Sequence, residues 1–235
     1  MTTIVIEQPN YIPWIGYFDL IRQSDIWVWY DDVQYTKRDW RNRNCVGRDV
    51  REWLTIPVRN KGRFHQLIAE VEIDWSQPWP RTHLGTIRRC YARAPHYGLV
   101  AQLLESAFDT ASRYLADLTI VLNESICELL RLKPVFARSS AIPRVASDRQ
   151  DRLIEICRHY DAPVYLSGPA ARGYIAPETF EAAGILLRYI EYDYLPYARG
   201  PYPFVSHLSI LDMLAWLGPC GVSAFLTSNS RSEVN

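Results

Sequence analysis

The stretch TIVIEQPNYIPWIGYFDLIRQSDIWVWY, residues 3–30, decides the fold. It opens on TIVIE, residues 3–7, a short β-branched run that predicts a buried strand stopped by a proline. After Pro13, which suits a first helical turn, apolar side chains recur at helical spacing and predict a helix. A second apolar run, IWVWY at 26–30, predicts a strand beside the first. Strand, helix and strand in this order indicate a βαβ unit with parallel strands.

The rest of the chain continues the alternation, with a helical interruption. WLTIPV at 53–58 and IAEVEID at 68–74 predict an antiparallel hairpin, and residues 79 to about 131 predict a helical insertion. Strand and helix patterns then alternate from 134 to about 191. The predicted fold class is therefore α/β, a mostly parallel, Rossmann-like sheet flanked by helices.

The end of the chain carries one more helix pattern. HLSILDMLAWLG, residues 207–218, predicts a helix stopped at Gly218, with Asp212 either buried beside a basic partner or exposed. No Pro-, Gly- or Ser-rich linker divides the sequence, so we expect a single domain over residues 1–226. Residues 227–235 form a polar tail without a core face.

Composition and charge restrict the classes of function. The chain has 26 Lys plus Arg and 26 Asp plus Glu, so no overall field attracts nucleic acid or an anionic membrane. We find no apolar run near the 18 to 20 residues that span a bilayer and no signal-peptide pattern, which predicts a cytoplasmic protein. Its five cysteines and five histidines are scattered, so neither a metal site nor a disulfide framework is expected. The expected partner is a small-molecule or carrier-bound substrate.

Polar and aromatic side chains follow the first predicted strand, where ligands of open α/β sheets bind. The candidates for substrate binding are Gln8, Asn10, Tyr11, Trp14 and Tyr17. The alternative is that they only pack the loop. The layout of this loop also resembles the PxHxGH signature of nucleotidyltransferases, but Trp14 and Tyr17 stand where the histidines would be. A neutral aromatic ring cannot offer the charge of an imidazolium to a phosphate.

The stretch DDVQYTKRDWRNRN, residues 31–44, combines basic, aromatic and amide side chains directly after a predicted strand. The segment from Lys37 to Arg63 contains nine basic and three acidic residues, which gives it a local charge of +6. Guanidinium groups bind phosphate bidentately and Trp offers a stacking face, so a nucleotide or phosphorylated sugar is the expected ligand. The candidates are Asp32, Gln34, Tyr35, Lys37, Trp40, Asn42, Arg43 and Asn44. The alternative is a solvated basic loop.

Three further positions are candidates for chemistry. His83 is the predicted general base, because imidazole accepts a proton near neutral pH; a packed histidine is the alternative. Cys45 follows the basic segment, where nearby cations favour a thiolate nucleophile. Ser167 and Gly168 follow a predicted strand and are expected to line the pocket.

Taken in order, IEQPNYIPWIGYFDLI, DDVQYTKRDWRNRN, EWLTIPV, EVEIDWSQPWPRTHLGTIRRCYARAPHY, VYLSGPAARGYI and FVSHLSILDMLAWLG resemble the WbqC-like family of bacterial proteins. Members are associated with gene clusters for O-antigen, other surface polysaccharides and specialised metabolites. The resemblance implies transfer of an acyl or aminoacyl group to an amino sugar or related amine. It covers the His83 segment, although Thr82, preceded by Arg81, stands where members often carry a lysine.

On this reading His83, Lys37 and Asp32 are the predicted catalytic residues. Lys37 and Arg43 would hold a donor phosphate, Trp40 would stack on a ring, and amide side chains would orient the substrate. No cofactor is identified; an activated acyl donor or a sugar nucleotide is the expected co-substrate. Two alternatives stay open: a nucleotidyltransferase, and a non-catalytic protein that binds a glycan or nucleotide.

Overall fold

The computed structural model describes residues 1–228, which form two compact units. The sheet unit comprises residues 1–9, 16–33 and 132–192. The helical unit comprises residues 10–15 and 34–131 and, of the described chain, residues 193–228. Each unit is assembled from three separate stretches of sequence. Whether the two behave as the single domain expected over residues 1–226 is a question for unfolding experiments.

Strands and helices are numbered along the chain. The strands are β1 (Thr3–Glu7), β2 (Ile26–Trp29), β3 (Arg43–Gly47), β4 (Arg51–Thr55), β5 (Val135–Arg138), β6 (Val164–Ser167) and β7 (Leu186–Tyr189). The helices are α1 (Ile15–Arg22), α2 (Trp79–Tyr91), α3 (Tyr97–Asp109), α4 (Leu115–Leu130), α5 (Arg149–His159), α6 (Pro177–Ala182) and α7 (Ile210–Ser228).

The sheet unit contains a parallel sheet in the order β5-β2-β1-β6-β7. Strand β1 lies beside β2 in parallel, with Ile4 opposite Ile26 and Glu7 opposite Trp29. The three central strands β2, β1 and β6 are short apolar runs buried almost throughout, as expected where helices cover a parallel sheet. This arrangement confirms the predicted α/β class.

Local sequence explains the first βαβ unit. The β-branched residues of β1 are buried at its centre, and Pro9 after it has no N–H to continue a ladder. In α1 the side chains of Tyr17, Phe18 and Ile21 are buried, which is the face predicted from their spacing. The local pattern was sufficient here because each element packs against its neighbour in sequence.

The predicted hairpin between residues 53–58 and 68–74 is reduced to one antiparallel bridge, with Val58 opposite Ile73. β4 pairs instead with β3, with Arg43 opposite Thr55 and Gly47 opposite Arg51, whereas residues 68–70 form a short 3₁₀ helix. Gly47 permits this tight return, because a Cβ there would lie 2.0 Å from the carbonyl oxygen of Val50. The hairpin therefore closes over residues 48–50.

Helices α2, α3, α4 and α7 and the β3–β4 hairpin make up most of the helical unit. A fully buried ion pair joins Arg199 to Asp212 at 2.6 Å, and the hydroxyl of Tyr197 donates to the same carboxylate at 2.5 Å. Asp212 is thus buried beside a basic partner, the first of its two expected settings. The pair is completed by guanidinium bonds to carbonyl oxygens of residues 47, 48 and 203, as a buried charge requires.

Helix α7 departs from the sequence expectations in two ways. It resumes after a break at Gly218, whose φ is 67°, and runs on to Ser228. Contrary to the expectation of no such run, it is also long and apolar enough to span a membrane by length and composition. Half of it is buried within the protein and it carries the ion-paired Asp212, which are features of a core helix. Of the predicted tail, residues 229–235 lie outside the described residues.

Candidate functional site

The sheet changes its direction of growth between β1 and β6. The chain passes from β1 to β2 and β5 on one side, then to β6 and β7 on the other. In open parallel sheets ligands bind outside the carboxyl ends of the strands at this point. The residues there are Glu7 at the end of β1 with Gln8 after it, and Ser167 at the end of β6 with Gly168 after it. The structure therefore brings three predicted binding residues to one edge of the sheet.

Hydrogen bonds fix the shape of this edge. The hydroxyl of Tyr17 donates to the carbonyl oxygen of Gln8 at 2.8 Å, so Tyr17 supports the loop. The backbone N–H of Gln8 donates to a carboxylate oxygen of Glu7 at 3.0 Å. Burial, with Glu7 and Asp19 adding to it, raises the pKa of Tyr192 far above its ordinary value.

Asp32, a predicted catalytic residue, is buried in an ion network of the sheet unit. Its carboxylate lies 2.9 Å from a guanidinium nitrogen of Arg152, which is fully buried, and accepts from the hydroxyl of Ser139 at 2.5 Å. The neighbouring Asp31 pairs with Arg138 at 2.7 Å. A charge held this way is fixed by its partners, so the geometry gives Asp32 a structural role and lends no support to a catalytic one.

His83, the predicted general base, lies on α2 and is buried. Its Nε2 is 3.2 Å from the carbonyl oxygen of Thr55 and its Nδ1 is 2.9 Å from the hydroxyl of Tyr11. Because a carbonyl only accepts, Nε2 carries the proton and Nδ1 accepts from Tyr11. Burial lowers the pKa of His83 to about 4. Taking a substrate proton would require breaking the bond from Tyr11, so this geometry gives no support to the general base.

The predicted amide ligands of the helical unit bond to their own chain. The Asn44 amide donates to the carbonyl oxygen of Tyr11 at 3.1 Å, and the Asn42 amide donates to that of Ile56 at 2.8 Å. The amide oxygen of Asn10 accepts from Arg41 at 2.7 Å. These bonds hold residues 10–15 and the β3–β4 hairpin in place. They favour the alternative in which the polar side chains pack the loop and do not bind a substrate.

An exposed group of rings is the accessible part of the basic-aromatic segment. Trp40 is 46% exposed and Trp53 is 50% exposed, with ring centroids 5.7 Å apart. The guanidinium of Arg43 lies 4.4 Å from the Trp53 ring. We call Trp40, Trp53 and Arg43 the aromatic platform. Such a surface can stack on a base or a sugar ring and offer a positive charge to a phosphate.

Other predicted residues of this segment are spread around the platform's unit. Lys37 is exposed, with its ammonium 5.1 Å from the Phe64 ring. Tyr35 is buried, which raises its pKa to about 12, and Gln34 donates to the carbonyl oxygen of Phe64 at 2.8 Å. Trp14, which belongs to the loop after β1, has its ring centroid 5.1 Å from that of His207.

Cys45 does not have the predicted thiolate character. Burial raises the pKa of its thiol above the ordinary value, although Arg51 and Arg43 act in the opposite direction. The nearby cations that the sequence identified are therefore outweighed by the loss of water around the sulfur. A nucleophilic role for Cys45 has no support in this geometry.

Sequence reasoning missed Trp53, which it treated only as part of a strand. In β4 Leu54 is buried while Trp53 and Thr55 point to solvent, but because Trp53 and Leu54 are adjacent apolar residues the sequence does not show which of them faces outward. Trp53 becomes a candidate because the exposed ring of Trp40 lies beside it, so that the two rings form one apolar patch.

Comparison with known proteins identifies a family and a relative that is named as uncharacterized. The model of the WbqC-like protein family matches residues 8–224. The chain is 38% identical over 221 residues to the uncharacterized protein Rv1507c of Mycobacterium tuberculosis, which covers 93% of this chain and 95% of that protein. No solved structure matches the chain.

Proposed function

Because the chain belongs to the WbqC-like protein family, we propose that it is an acyl- or aminoacyl-type transferase acting on an amino sugar or related amine. The reaction would serve surface-glycan or specialised-metabolite biosynthesis in the cytoplasm. The observation that carries the proposal is the aromatic platform, two half-exposed tryptophans with a guanidinium stacked on one of them. In a protein of this size, exposed large rings this close together favour a ligand-binding surface.

In this proposal the platform binds the donor. Trp40 stacks on the base or sugar ring, while Arg43 and Lys37 hold a phosphate of the activated donor. Of the nine basic residues between 37 and 63, Arg41, Arg48 and Arg63 are ion-paired, so the attraction for an anionic donor comes from the remaining cations, Lys37 and Arg43 among them.

The catalytic roles of His83, Lys37 and Asp32 stay predictions. Lys37 is the one of the three that is exposed, so it is the first to replace in a turnover assay. His83 instead positions Tyr11 through the hydrogen bond between them.

Donor binding can be measured by calorimetry with amino-sugar nucleotides, CoA thioesters and ATP with magnesium. We expect a sugar nucleotide or thioester to bind, and Trp40→Ala and Trp53→Ala each to weaken it about tenfold, since stacking contributes about 1–3 kcal/mol per ring. Phe204→Ala is the matched control, because Phe204 is a comparably exposed ring of the helical unit. Affinities unchanged in both tryptophan variants would rule out the platform as the donor site.

The reaction itself is tested by mixing the bound donor with an amino sugar and looking for the acylated product by mass spectrometry. The second candidate, a non-catalytic protein that binds a glycan or nucleotide, is favoured by the burial of His83 and Asp32. It predicts the same platform-dependent binding but no product with any donor.

A further inference from the structure

A second surface of the helical unit has the features of a ligand site. An open groove of about 520 Å³ lies beside the 3₁₀ helix at residues 68–70. Its lining side chains are polar or aromatic apart from one alanine: Arg63, Gln66, Ala69, Glu70, Glu72 and Tyr114. None of them belongs to the aromatic platform or to the predicted site residues.

Gln66 is the residue that points to a ligand. Its side chain is nine-tenths buried, and neither the oxygen nor the nitrogen of its amide has a hydrogen-bond partner among residues 1–228. Only its backbone is engaged, through the carbonyl oxygen that accepts from the N–H of Tyr35 at 3.0 Å. A buried amide left unpaired destabilises the folded state. Both amide atoms are covered from solvent, so a hydroxyl or amide group of a bound molecule would satisfy them once the side chain turns into the groove.

The charges along the groove select the ligand. Glu72 is already neutralised, because its carboxylate lies 2.7 Å from Arg113 and 3.3 Å from Arg63. Glu70 accepts a bond from the backbone N–H of Leu67 at 2.9 Å and has no ion-pair partner within the described chain. The groove therefore offers a carboxylate for a cation, whereas its arginine is engaged and is not free for an anion.

The remaining wall is the ring of Tyr114, over which the guanidinium of Arg113 lies at 5.2 Å. An aromatic ring lining a polar groove suits the apolar C–H face of a sugar ring. A carboxylate, an amide with two donors and an acceptor, and an aromatic wall together match a molecule with an ammonium group, adjacent hydroxyls and a ring.

We propose that this groove binds an amino sugar, with its ammonium on Glu70, its hydroxyls on the Gln66 amide and its ring against Tyr114. The role of this sugar as the acceptor rests on the proposed transferase function. Binding of the sugar in the groove is independent of that function. The bound sugar would supply the hydrogen bonds that the Gln66 amide lacks within its own chain.

Saturation-transfer NMR at about pH 6, where the amine is charged, tests the proposal with glucosamine and glucose as probes. We expect glucosamine to bind about tenfold more tightly than glucose, and Glu70→Gln to abolish that preference. Gln66→Leu should weaken both sugars about fivefold or more without loss of stability, since it removes an unpaired buried amide. Glu105→Gln, an exposed glutamate of α3, should bind as the wild type does.

The outcomes separate this inference from the proposed function. Absence of glucosamine binding by the wild-type protein, or a preference for glucosamine that survives Glu70→Gln, would overturn the groove as an amino-sugar site whatever the donor does. Glucosamine binding that persists in Trp40→Ala supports the groove as an independent site. If the affinity for the donor were unchanged in Trp40→Ala and Trp53→Ala, that result would count against the proposed function and not against the groove.

Discussion

At the scale of single residues, the two most strongly held candidate side chains are bonded to groups far away in sequence. His83 bonds to Tyr11, 72 positions away, and Asp32 bonds to Arg152, 120 positions away. Both pairs are buried. Whether a histidine or a carboxylate faces solvent or a partner depends on such contacts, so their chemistry is decided by the tertiary fold.

The buried His83 makes the stability of the protein depend on pH. Its pKa in the folded state is about 4, below the ordinary 6.5, so the unfolded chain takes up the proton first as pH falls. This contribution to stability is complete above pH 6.5 and is lost between about pH 6.5 and 4. For these two values it amounts to about 2 kcal/mol between pH 7 and pH 5.

We therefore expect His83→Gln to lose less stability than the wild type between pH 7 and pH 5, by about 2 kcal/mol. Gln keeps a donor for Thr55 and an acceptor for Tyr11 but does not titrate. Urea unfolding of both proteins at the two pH values measures the difference, and all other titrating groups cancel in the comparison. Equal losses in the two proteins would show that the folded-state pKa of His83 is not lowered.

The candidate residues that the sequence identified best are those whose placement follows from local order. Gln8 and Ser167 lie at strand ends because their strands were recognisable from short apolar runs. Trp53 and Gln66 were missed because their significance depends on exposure and on lack of a partner, and neither property is visible in a residue pattern.

At the scale of elements, the parallel sheet was predictable and the β3–β4 hairpin was not. Strands β1, β2 and β6 are compact runs of β-branched and aromatic residues, which is a strong signal. Strand β3, with the sequence RNCVG, has little apolar character of its own. Its place is set by pairing with β4 and by the close approach of the backbone at Gly47. Composition alone therefore did not predict this strand.

Helix α7 depends on its glycine break. Gly218 has a φ of 67°, and a Cβ added there would lie 2.6 Å from the ring of His96. We expect Gly218→Ala to lower the free energy of unfolding by about 1–3 kcal/mol from the backbone alone, because a φ of 67° with a ψ of 173° lies in a region that is essentially confined to glycine. Denaturant unfolding checks this value, and any clash with His96 adds to it.

Gly98 provides the matched control for this substitution. It lies in the first turn of α3, and a Cβ there would meet nothing within 4 Å. Gly98→Ala should therefore stabilise the protein by about 0.4–1 kcal/mol, since alanine restricts the unfolded chain. If the two variants had effects of the same sign, the argument from backbone conformation at Gly218 would fail.

At the scale of the whole molecule, the chain passes between the sheet unit and the helical unit five times, after residues 9, 15, 33, 131 and 192. Four of the stretches have both ends in the other unit: residues 10–15 and 34–131 of the helical unit, and residues 16–33 and 132–192 of the sheet unit. Unfolding one unit frees those ends, and the other unit then has to close longer loops, which costs conformational entropy. This connectivity couples the stability of the two units.

We therefore expect one cooperative unfolding transition, consistent with the single domain that the sequence predicts. The eight tryptophans allow a direct test by fluorine NMR of protein labelled with fluorotryptophan. Trp27 and Trp29 report the sheet unit and Trp79 reports the helical unit, and all three are buried. Their signals should disappear with a common urea midpoint. Separate midpoints for Trp27 and Trp79 would show that each unit folds by itself, and would make the discontinuous units two domains.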